Sequence, residues 1–274
     1  MATTARGLDD RGFIEREGSL SRIQPDFRPV VSAARDSLLA AFGPRMTSAY
    51  LYGSVPRGTA RPGRSDLDLL LALRDEPTDE DRAEARALAD ALDKDFAQID
   101  GVGLIILSRT QVLSDLERHD LGWFVACLCT PLLGEDLAEY LPRYRPDSLL
   151  ARETNGDLRL FLPRWRERIA RGDDPRTLDR LISRHLVRTG FTLVMPRWNG
   201  WTSDLTQMAE VFGTYYPQRA DAMRQAARAA YEPMGAPHTL RAYTEDLGPW
   251  LAAEYEAVHG VKAPPPMTRE AGHR

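Results

Sequence analysis

The chain has 274 residues, of which 43% are hydrophobic and 28% are charged, and its formal net charge at pH 7 is −4. These values are typical of a folded protein with one large or two small domains. The acidic balance argues against nucleic acid as a partner, because nucleic-acid binders usually carry a basic field. No apolar run approaches the roughly 18 residues that a membrane-spanning helix needs. A cytoplasmic protein with no membrane partner is expected.

The amino-terminal half has the pattern of a small α/β (α+β) domain. Residues 1–25 show no clear periodicity and are expected to be poorly ordered, and the domain is placed at residues 26–145. Apolar positions at helical spacing predict a helix that ends near Gly43, and a capping box at Thr78 and Asp81 predicts another that runs to about Phe96. Short apolar runs predict strands at residues 48–52, 66–73 and 101–107.

The carboxy-terminal half has a different pattern. From about residue 146 helical periodicity dominates, and Pro and Gly breakers separate the helical segments. This predicts an all-helical domain over residues 146–262, followed by a Pro-rich disordered tail at 263–274. The two tryptophans of the loop at residues 196–201 are candidates for lining a ligand pocket, with core packing as the alternative.

Two acidic residues in the second predicted strand carry the first sign of chemistry. Asp66 and Asp68 are two positions apart, and side chains at this spacing share one face of a strand. Two hard oxygen ligands suit Mg²⁺, which keeps several waters and completes its octahedron with phosphate oxygens. A second ion nearby would hold the attacking and leaving oxygens of an in-line displacement.

The turn before this strand supplies the other half of the motif. Gly53 allows the backbone to approach a phosphate closely, and Ser54 adds a hydroxyl group. Arg57 and Arg64 are cations within reach of a polyphosphate. Alone, a Gly-Ser pair is usually a turn, and an Asp-x-Asp is usually two solvated carboxylates. Together, on a strand, a loop and a second strand, they favour a phosphoryl-transfer site.

The Gly53-Ser54 pair followed by Asp66-Leu67-Asp68 resembles the signature of the nucleotidyltransferase superfamily related to DNA polymerase β. Within it, the chain is most similar to the bacterial aminoglycoside and antibiotic adenylyltransferases, which join a small α/β domain with a mixed sheet to a helical domain. The resemblance spans most of residues 27–232. It implies ATP or another nucleoside triphosphate as substrate, two Mg²⁺ ions as cofactor, and a hydroxyl group on a small molecule as acceptor.

The resemblance also implies roles for individual residues. Asp66 and Asp68 would be metal ligands and catalytic residues, and the nucleotide would be held by Gly53, Ser54, Arg57 and Ser65. A third carboxylate is expected in a later strand, but its position holds Gly103. The nearest acid is Asp100, the candidate third catalytic residue, which faces the opposite side of a regular strand. A bulge at Gly101 and Gly103 would be needed to redirect it.

Three functions are therefore open. The first is transfer of a nucleoside monophosphate, AMP in the favoured case, to a hydroxyl of an aminoglycoside-like antibiotic or another small molecule, with release of pyrophosphate. The second is nucleotide binding with degenerate or no transferase activity, which Gly103 favours. The third is nucleotidylation of a protein or a tRNA. Neither the acceptor nor the oligomeric state is determined by the sequence.

Overall fold

A computed structural model describes residues 6–262 of the chain. It contains two compact units, Phe13–Tyr144 and a second unit that combines Met1–Gly12 with Arg145–Arg274. The division after Tyr144 lies next to the boundary predicted between residues 145 and 146. The predicted tail at residues 263–274 and the first five residues of the predicted amino-terminal segment lie outside the described residues.

The first unit is built on a four-stranded mixed sheet. Its strands are β1 (Met46–Tyr52), β2 (Leu67–Leu73), β3 (Val102–Ser108) and β4 (Thr130–Gly134). They lie in the order β3-β2-β1-β4, with β1 antiparallel to β2 and β4, and with β2 parallel to β3. The predicted small mixed sheet is confirmed. The sequence did not indicate β4, because a five-residue segment with Pro131 lacks a strand pattern and only an edge strand tolerates proline.

Four α-helices belong to this unit: α1 (Arg28–Phe42), α2 (Ser54–Arg57), α3 (Asp79–Asp95) and α4 (Arg109–Val112). The capping box at the start of α3 is present as predicted. Thr78 Oγ1 accepts a hydrogen bond from Asp81 N at 3.1 Å, and the Asp81 carboxylate accepts one from Thr78 N at 2.9 Å. These bonds satisfy backbone donors that the first turn of a helix leaves unpaired. Short 3₁₀ and π-helical turns connect α4 to β4.

The two faces of the sheet bury different side chains, which decides where the acidic residues lie. Leu67, Leu69 and Leu71 of β2 pack on one face with apolar residues of α1 and α3. Leu70 and Ala72 pack on the other face. Because side chains alternate along a strand, Asp68 belongs to the face of Leu70 and Ala72.

Hydrogen bonds fix the described part of the amino-terminal segment, residues 6–25, which differs from the expectation of poor order. Ile14 N donates to Tyr144 O at 2.8 Å, and Glu17 N donates to Cys127 O at 3.0 Å. The partners are more than 100 positions away along the chain. Such long-range bonds leave no local periodicity in the sequence, so the order of this segment was not predictable from it.

The carboxy-terminal unit is mostly helical, as predicted. Its helices are α5 (Ser148–Asn155), α6 (Leu158–Arg171), α7 (Pro175–Trp198), α8 (Leu205–Tyr215), α9 (Ala220–Ala229), α10 (Pro237–Ala242) and α11 (Gly248–His259). A π-helical turn, Tyr243–Leu247, links the last two. None of the helices between residues 6 and 262 combines the length and the apolar character that crossing a bilayer requires.

The two tryptophans considered for a ligand pocket pack against the core of this unit, where Trp201 is buried and Trp198 is partly exposed. Trp198 and Trp201 both pack edge-on against Phe191, with ring centroids 5.7 and 5.6 Å away. Trp201 is only 6% exposed, and its backbone N donates to Arg6 O at 2.8 Å. Core packing, with the amino-terminal segment as an added layer, therefore accounts for these residues.

A histidine in the core of the helical unit makes its stability dependent on pH. His185 of α7 packs against Phe161 and Trp165 of α6, with ring centroids 4.6 and 5.2 Å away. Its Nε2 is buried and has no hydrogen-bond partner among the described residues. Desolvation, with smaller contributions from Arg188 and Lys262, lowers the pKa of His185 to about 3.

We expect His185 to destabilise the fold in acid. Below the ordinary histidine pKa of 6.5 the unfolded chain binds a proton that the folded chain excludes until about pH 3. The stability advantage of the wild type over His185→Phe should shrink by up to about 1.4 kcal/mol per pH unit in that window. Urea denaturation of both proteins from pH 8 to pH 4 measures this, and a pH-independent difference would contradict it.

Candidate functional site

The turn after β1 passes directly over a carboxylate of β2. Tyr52, the last residue of β1, pairs with Asp68 across the antiparallel ladder. Gly53 follows with φ 78° and ψ −150°, a conformation that essentially only glycine adopts. A Cβ atom on Gly53 would collide with Asp68 Oδ2 and lie 3.1 Å from Asp68 Cγ. The glycine is therefore required both by its dihedral angles and by the acidic side chain beneath it.

The two acidic residues of the motif lie against two glycines of the next strand. Asp66 immediately precedes β2 and is exposed, whereas Asp68 lies within it and is partly buried. A Cβ atom placed on Gly101 would be 3.8 Å from Asp66 Oδ1, and one placed on Gly103 would be 3.1 Å from Asp68 Oδ1. Both carboxylates thus lie close to a glycine, Gly101 just before β3 and Gly103 within it.

The position of the expected third carboxylate lies beside Asp68, and it is occupied by Gly103, which has no side chain. The parallel register aligns Asp68 with Gly103 and continues without a shift to the end of both strands. The bulge that would redirect Asp100 is therefore absent from the paired part of β3. Asp100 lies instead beside Ser65, whose carbonyl oxygen accepts a hydrogen bond from Asp100 N at 3.1 Å.

Asp100 does not complete a three-carboxylate cluster with the other two acids. Among residues 6–262, no group of three or more His, Cys, Asp or Glu side chains is arranged to hold a metal ion. Asp100 is also exposed, and it precedes the paired residues of β3, which begin at Val102. The structure therefore gives no support to Asp100 as the third catalytic residue.

Ser54 is the predicted nucleotide-binding residue whose side chain remains available. It begins the one-turn helix α2, and its carbonyl oxygen accepts a hydrogen bond from Thr59 N at 3.0 Å. Its hydroxyl group makes no hydrogen bond to any residue between 6 and 262 and lies one residue from the turn at Gly53. A ligand that approaches this turn would meet a free hydroxyl group.

Arg57 and Ser65, the other two predicted nucleotide-binding residues, have structural partners. Arg57 Nη1 lies 3.4 Å from Glu17 Oε2, an ion pair with a residue 40 positions away that the sequence did not indicate. Ser65 Oγ accepts a hydrogen bond from Arg61 N at 2.9 Å and so closes the loop between α2 and β2. Their predicted contacts with a nucleotide would compete with these interactions.

Tyr52 is a residue of this site that the motif did not single out. Its hydroxyl oxygen lies 3.8 Å from the point that a Cβ atom on Gly103 would occupy. Its ring packs edge-on against Phe124 with centroids 5.0 Å apart, which fixes the direction of the side chain. The only signal in the sequence was that Tyr52 and Asp68 flank the same loop, so that pairing of the two strands brings them opposite each other.

Comparisons with known proteins agree with this geometry. Residues 31–102 match the family described as the nucleotidyltransferase domain. The fold is similar to that of spectinomycin adenyltransferase AAD(9) from Enterococcus faecialis, solved with ATP and spectinomycin. The two chains are 14% identical, the match covers 83% of this chain and 98% of that one, and the TM-score is 0.55. No curated protein matches the sequence.

The close approach of Gly53 to Asp68 leads to a prediction about binding. Gly53→Ala should cost about 1–3 kcal/mol in backbone strain and displace the Asp68 carboxylate. Affinity for ATP in the presence of Mg²⁺, measured by calorimetry, should fall roughly 10- to 100-fold, as when the support of a metal ligand is removed.

Gly63→Ala is the matched control for this variant. Gly63 also has positive φ, 67°, but a Cβ atom there would meet nothing within 4 Å. The Gly63→Ala variant should lose about 1–2 kcal/mol of stability and keep its affinity for ATP. Equal losses of affinity in the two variants would show that the contact with Asp68 has no role in binding.

Proposed function

Because this chain carries a nucleotidyltransferase domain, we propose that it moves a nucleoside monophosphate, AMP from ATP, to a hydroxyl group of a small molecule and releases pyrophosphate. The observation that carries this proposal is the packing of the Gly53 turn on the Asp68 carboxylate. That contact joins a backbone turn able to approach phosphates to an acidic side chain able to hold a cation. Neither half would indicate phosphoryl transfer without the other.

The residues at this site fit Mg²⁺. The donor set consists of Asp66, which immediately precedes β2, and Asp68, which lies within it. Mg²⁺ is typically bound by one or two carboxylates together with waters and substrate phosphates. Asp66 and Asp68 would hold the ion, which would supply positive charge to neutralise the phosphates. Two protein carboxylates fit one such ion better than the two ions that the resemblance implies.

The protein residues would act by orienting the phosphates and the acceptor. The acceptor oxygen forms a bond to the α-phosphorus, the bond from that phosphorus to the bridging oxygen breaks, and pyrophosphate leaves. The turn at Gly53 and the hydroxyl group of Ser54 would hold the phosphates in line for this displacement. The proton of the acceptor hydroxyl must go to a base, and Gly103 offers none at the position beside Asp68.

The acceptor we propose is an aminoglycoside-like molecule. The structurally similar adenyltransferase was solved with ATP and spectinomycin, and this chain spans 98% of its length. That similarity supports both the choice of ATP and a small acceptor rich in hydroxyl groups. An acidic protein, with a net charge of −4, also attracts a cationic acceptor.

A second function, nucleotide binding without transfer, is favoured by one specific feature. Glycine stands at position 103, where the resemblance leads us to expect a carboxylate beside Asp68. A protein with this site would retain the turn and the acidic pair, and would therefore bind a nucleotide with Mg²⁺. It would lack the group that accepts the proton of an attacking hydroxyl.

Binding is tested with variants of the acidic pair. Asp66→Ala/Asp68→Ala should abolish Mg²⁺-dependent ATP binding in calorimetry, because the carboxylates that hold the cation are gone. Asp100→Ala, which removes an exposed acid from the same region, should leave the affinity unchanged. Unchanged affinity in the double variant would overturn the assignment of the site.

Transfer is tested by pyrophosphate release with ATP, Mg²⁺ and a panel of aminoglycosides, spectinomycin and other hydroxyl acceptors. Release that depends on one acceptor and disappears in Asp66→Ala/Asp68→Ala supports the transferase. If no acceptor in the panel gives pyrophosphate release while ATP binding is retained, the nucleotide-binding function is supported.

A variant at position 103 separates the two functions further. Gly103→Asp should place a carboxylate beside Asp68 and raise the rate of pyrophosphate release by on the order of 100-fold, the lower end of what a positioned base contributes. The new Cβ would lie 3.1 Å from Asp68 Oδ1, so a small shift of that carboxylate is needed. Gly103→Asn, of nearly equal size but uncharged, should give no increase. An equal effect of both substitutions would show that sterics, and not the charge, matters here.

A further inference from the structure

Basic residues are concentrated in one part of the helical unit. Residues 158–198, which span α6 and α7, contain ten arginines and four acidic residues, whereas acidic residues outnumber basic ones 40 to 36 over the whole chain. The overall charge of −4 therefore averages over regions of opposite sign. Charge asymmetry of this kind points to a localised surface for an anionic partner.

Four of these arginines form a stripe along one face of α7. Arg176, Arg180, Arg184 and Arg188 follow each other at four-residue intervals, with a rise of about 6 Å and a rotation of about 40° per step, so that successive arginines are neighbours on the helix surface. Three of them are exposed, and Arg184 is partly exposed. The stripe is about 18 Å long, which is longer than the triphosphate of a single nucleotide.

Of the four acidic residues of this segment, Asp173 and Asp179 have partners outside the stripe, and Asp174 interacts with the charge of Arg176. Asp173 pairs with Arg168 at 2.8 Å, at the end of α6. Asp174 caps the first turn of α7, and Asp179 is buried, where it accepts backbone hydrogen bonds from the loop after α9.

Within residues 6–262, the guanidinium groups of Arg176 and Arg180 make no ion pair or hydrogen bond. Arg184 and Arg188 have interactions of their own. The first half of the stripe is therefore the part that is ready to accept new anionic ligands.

The neighbouring helix extends the basic surface. Phe161 and Trp165 of α6 pack around His185, which lies between Arg184 and Arg188 in the sequence. Arg164, on the exposed side of α6, lies over the Phe161 ring with its guanidinium carbon 5.8 Å from the centroid. Arg164 thus adds a positive charge on the exposed side of α6.

We propose that the arginine stripe of α7 binds a nucleic-acid strand through its phosphates. A guanidinium group can bind a phosphate with two hydrogen bonds. A nucleic-acid strand carries phosphates at regular intervals, and the stripe carries positive charges at regular intervals. Such contacts position a strand without reading its sequence. This activity is separate from nucleotidyl transfer and belongs to a different unit of the chain.

An anionic membrane surface fits this face less well than a nucleic acid. Helices that lie on membranes pair their basic face with large apolar residues that enter the acyl region. The exposed large hydrophobic residues are Leu20, Leu39, Leu116, Tyr140, Leu149, Tyr231, Met234 and Val258. None of those eight residues lies on α6 or α7.

The test is fluorescence anisotropy of the full chain with a labelled single-stranded 20-mer of mixed sequence, titrated at several salt concentrations. Arg176→Gln/Arg180→Gln should bind roughly tenfold more weakly, and its salt dependence should decrease in slope by about 1.4, for two lost phosphate contacts. The loss should be the same for oligonucleotides of different sequence.

Arg35→Gln/Arg86→Gln removes the same charge from exposed positions on α1 and α3 and should bind like the wild type. Asp66→Ala/Asp68→Ala should also retain binding, which separates this surface from the nucleotide site. The proposal is overturned if the 20-mer does not bind, or if the control pair loses as much affinity as the stripe pair. It is equally overturned if phosphatidylserine vesicles or polyglutamate bind the stripe while the 20-mer does not.

Discussion

The close packing of the Gly53 turn on the Asp68 carboxylate is the contact on which the candidate site depends. It forces the backbone into a conformation that only glycine adopts, and it places a chain reversal directly over a charged group. Antiparallel pairing of Tyr52 with Asp68 holds both sides of this contact in place. The apolar residues that cover both faces of β2 anchor the strand, so the acidic end cannot move away without disturbing the core. A rigid scaffold of this kind is what a phosphate-binding site needs.

The same packing brings like charges together. Two carboxylates at the end of one strand repel each other, and a cation with its bound phosphates offsets that repulsion. Glycine at position 103 keeps a third carboxylate away from Asp68, which lowers the repulsion but also removes a ligand and a base. In the function that we propose, the acidic pair would hold a cation with its nucleotide, whereas no carboxylate stands at position 103 to accept a proton. This balance is the reason that binding and transfer are separate questions for this protein.

The helical unit contributes charge of the opposite sign. Of the acidic residues near the arginine stripe of α7, Asp173 pairs with Arg168 and Asp179 accepts backbone hydrogen bonds, whereas Asp174 interacts with the charge of Arg176. Its helix is anchored by a long buried side, which includes Ile182, Leu186 and Phe191. The chain therefore combines an acidic unit that carries the Asp66–Asp68 pair and a helical unit with a row of arginines, and each uses a hydrophobic core to hold its charged groups at the surface.

The sequence alone determined the small mixed α/β domain, the helical part and the acidic motif, because strand alternation, helical periodicity and the Gly-Ser turn are local patterns. The amino-terminal segment was not predictable, since its order comes from hydrogen bonds to residues more than 100 positions away. Neither was the ion pair of Arg57 with Glu17. The pairing of Asp68 with Gly103 depended on the register of two parallel strands, which no local pattern encodes. The sequence identified the candidate residues, and only the pairing of strands that are distant in sequence determined which of them are adjacent in space.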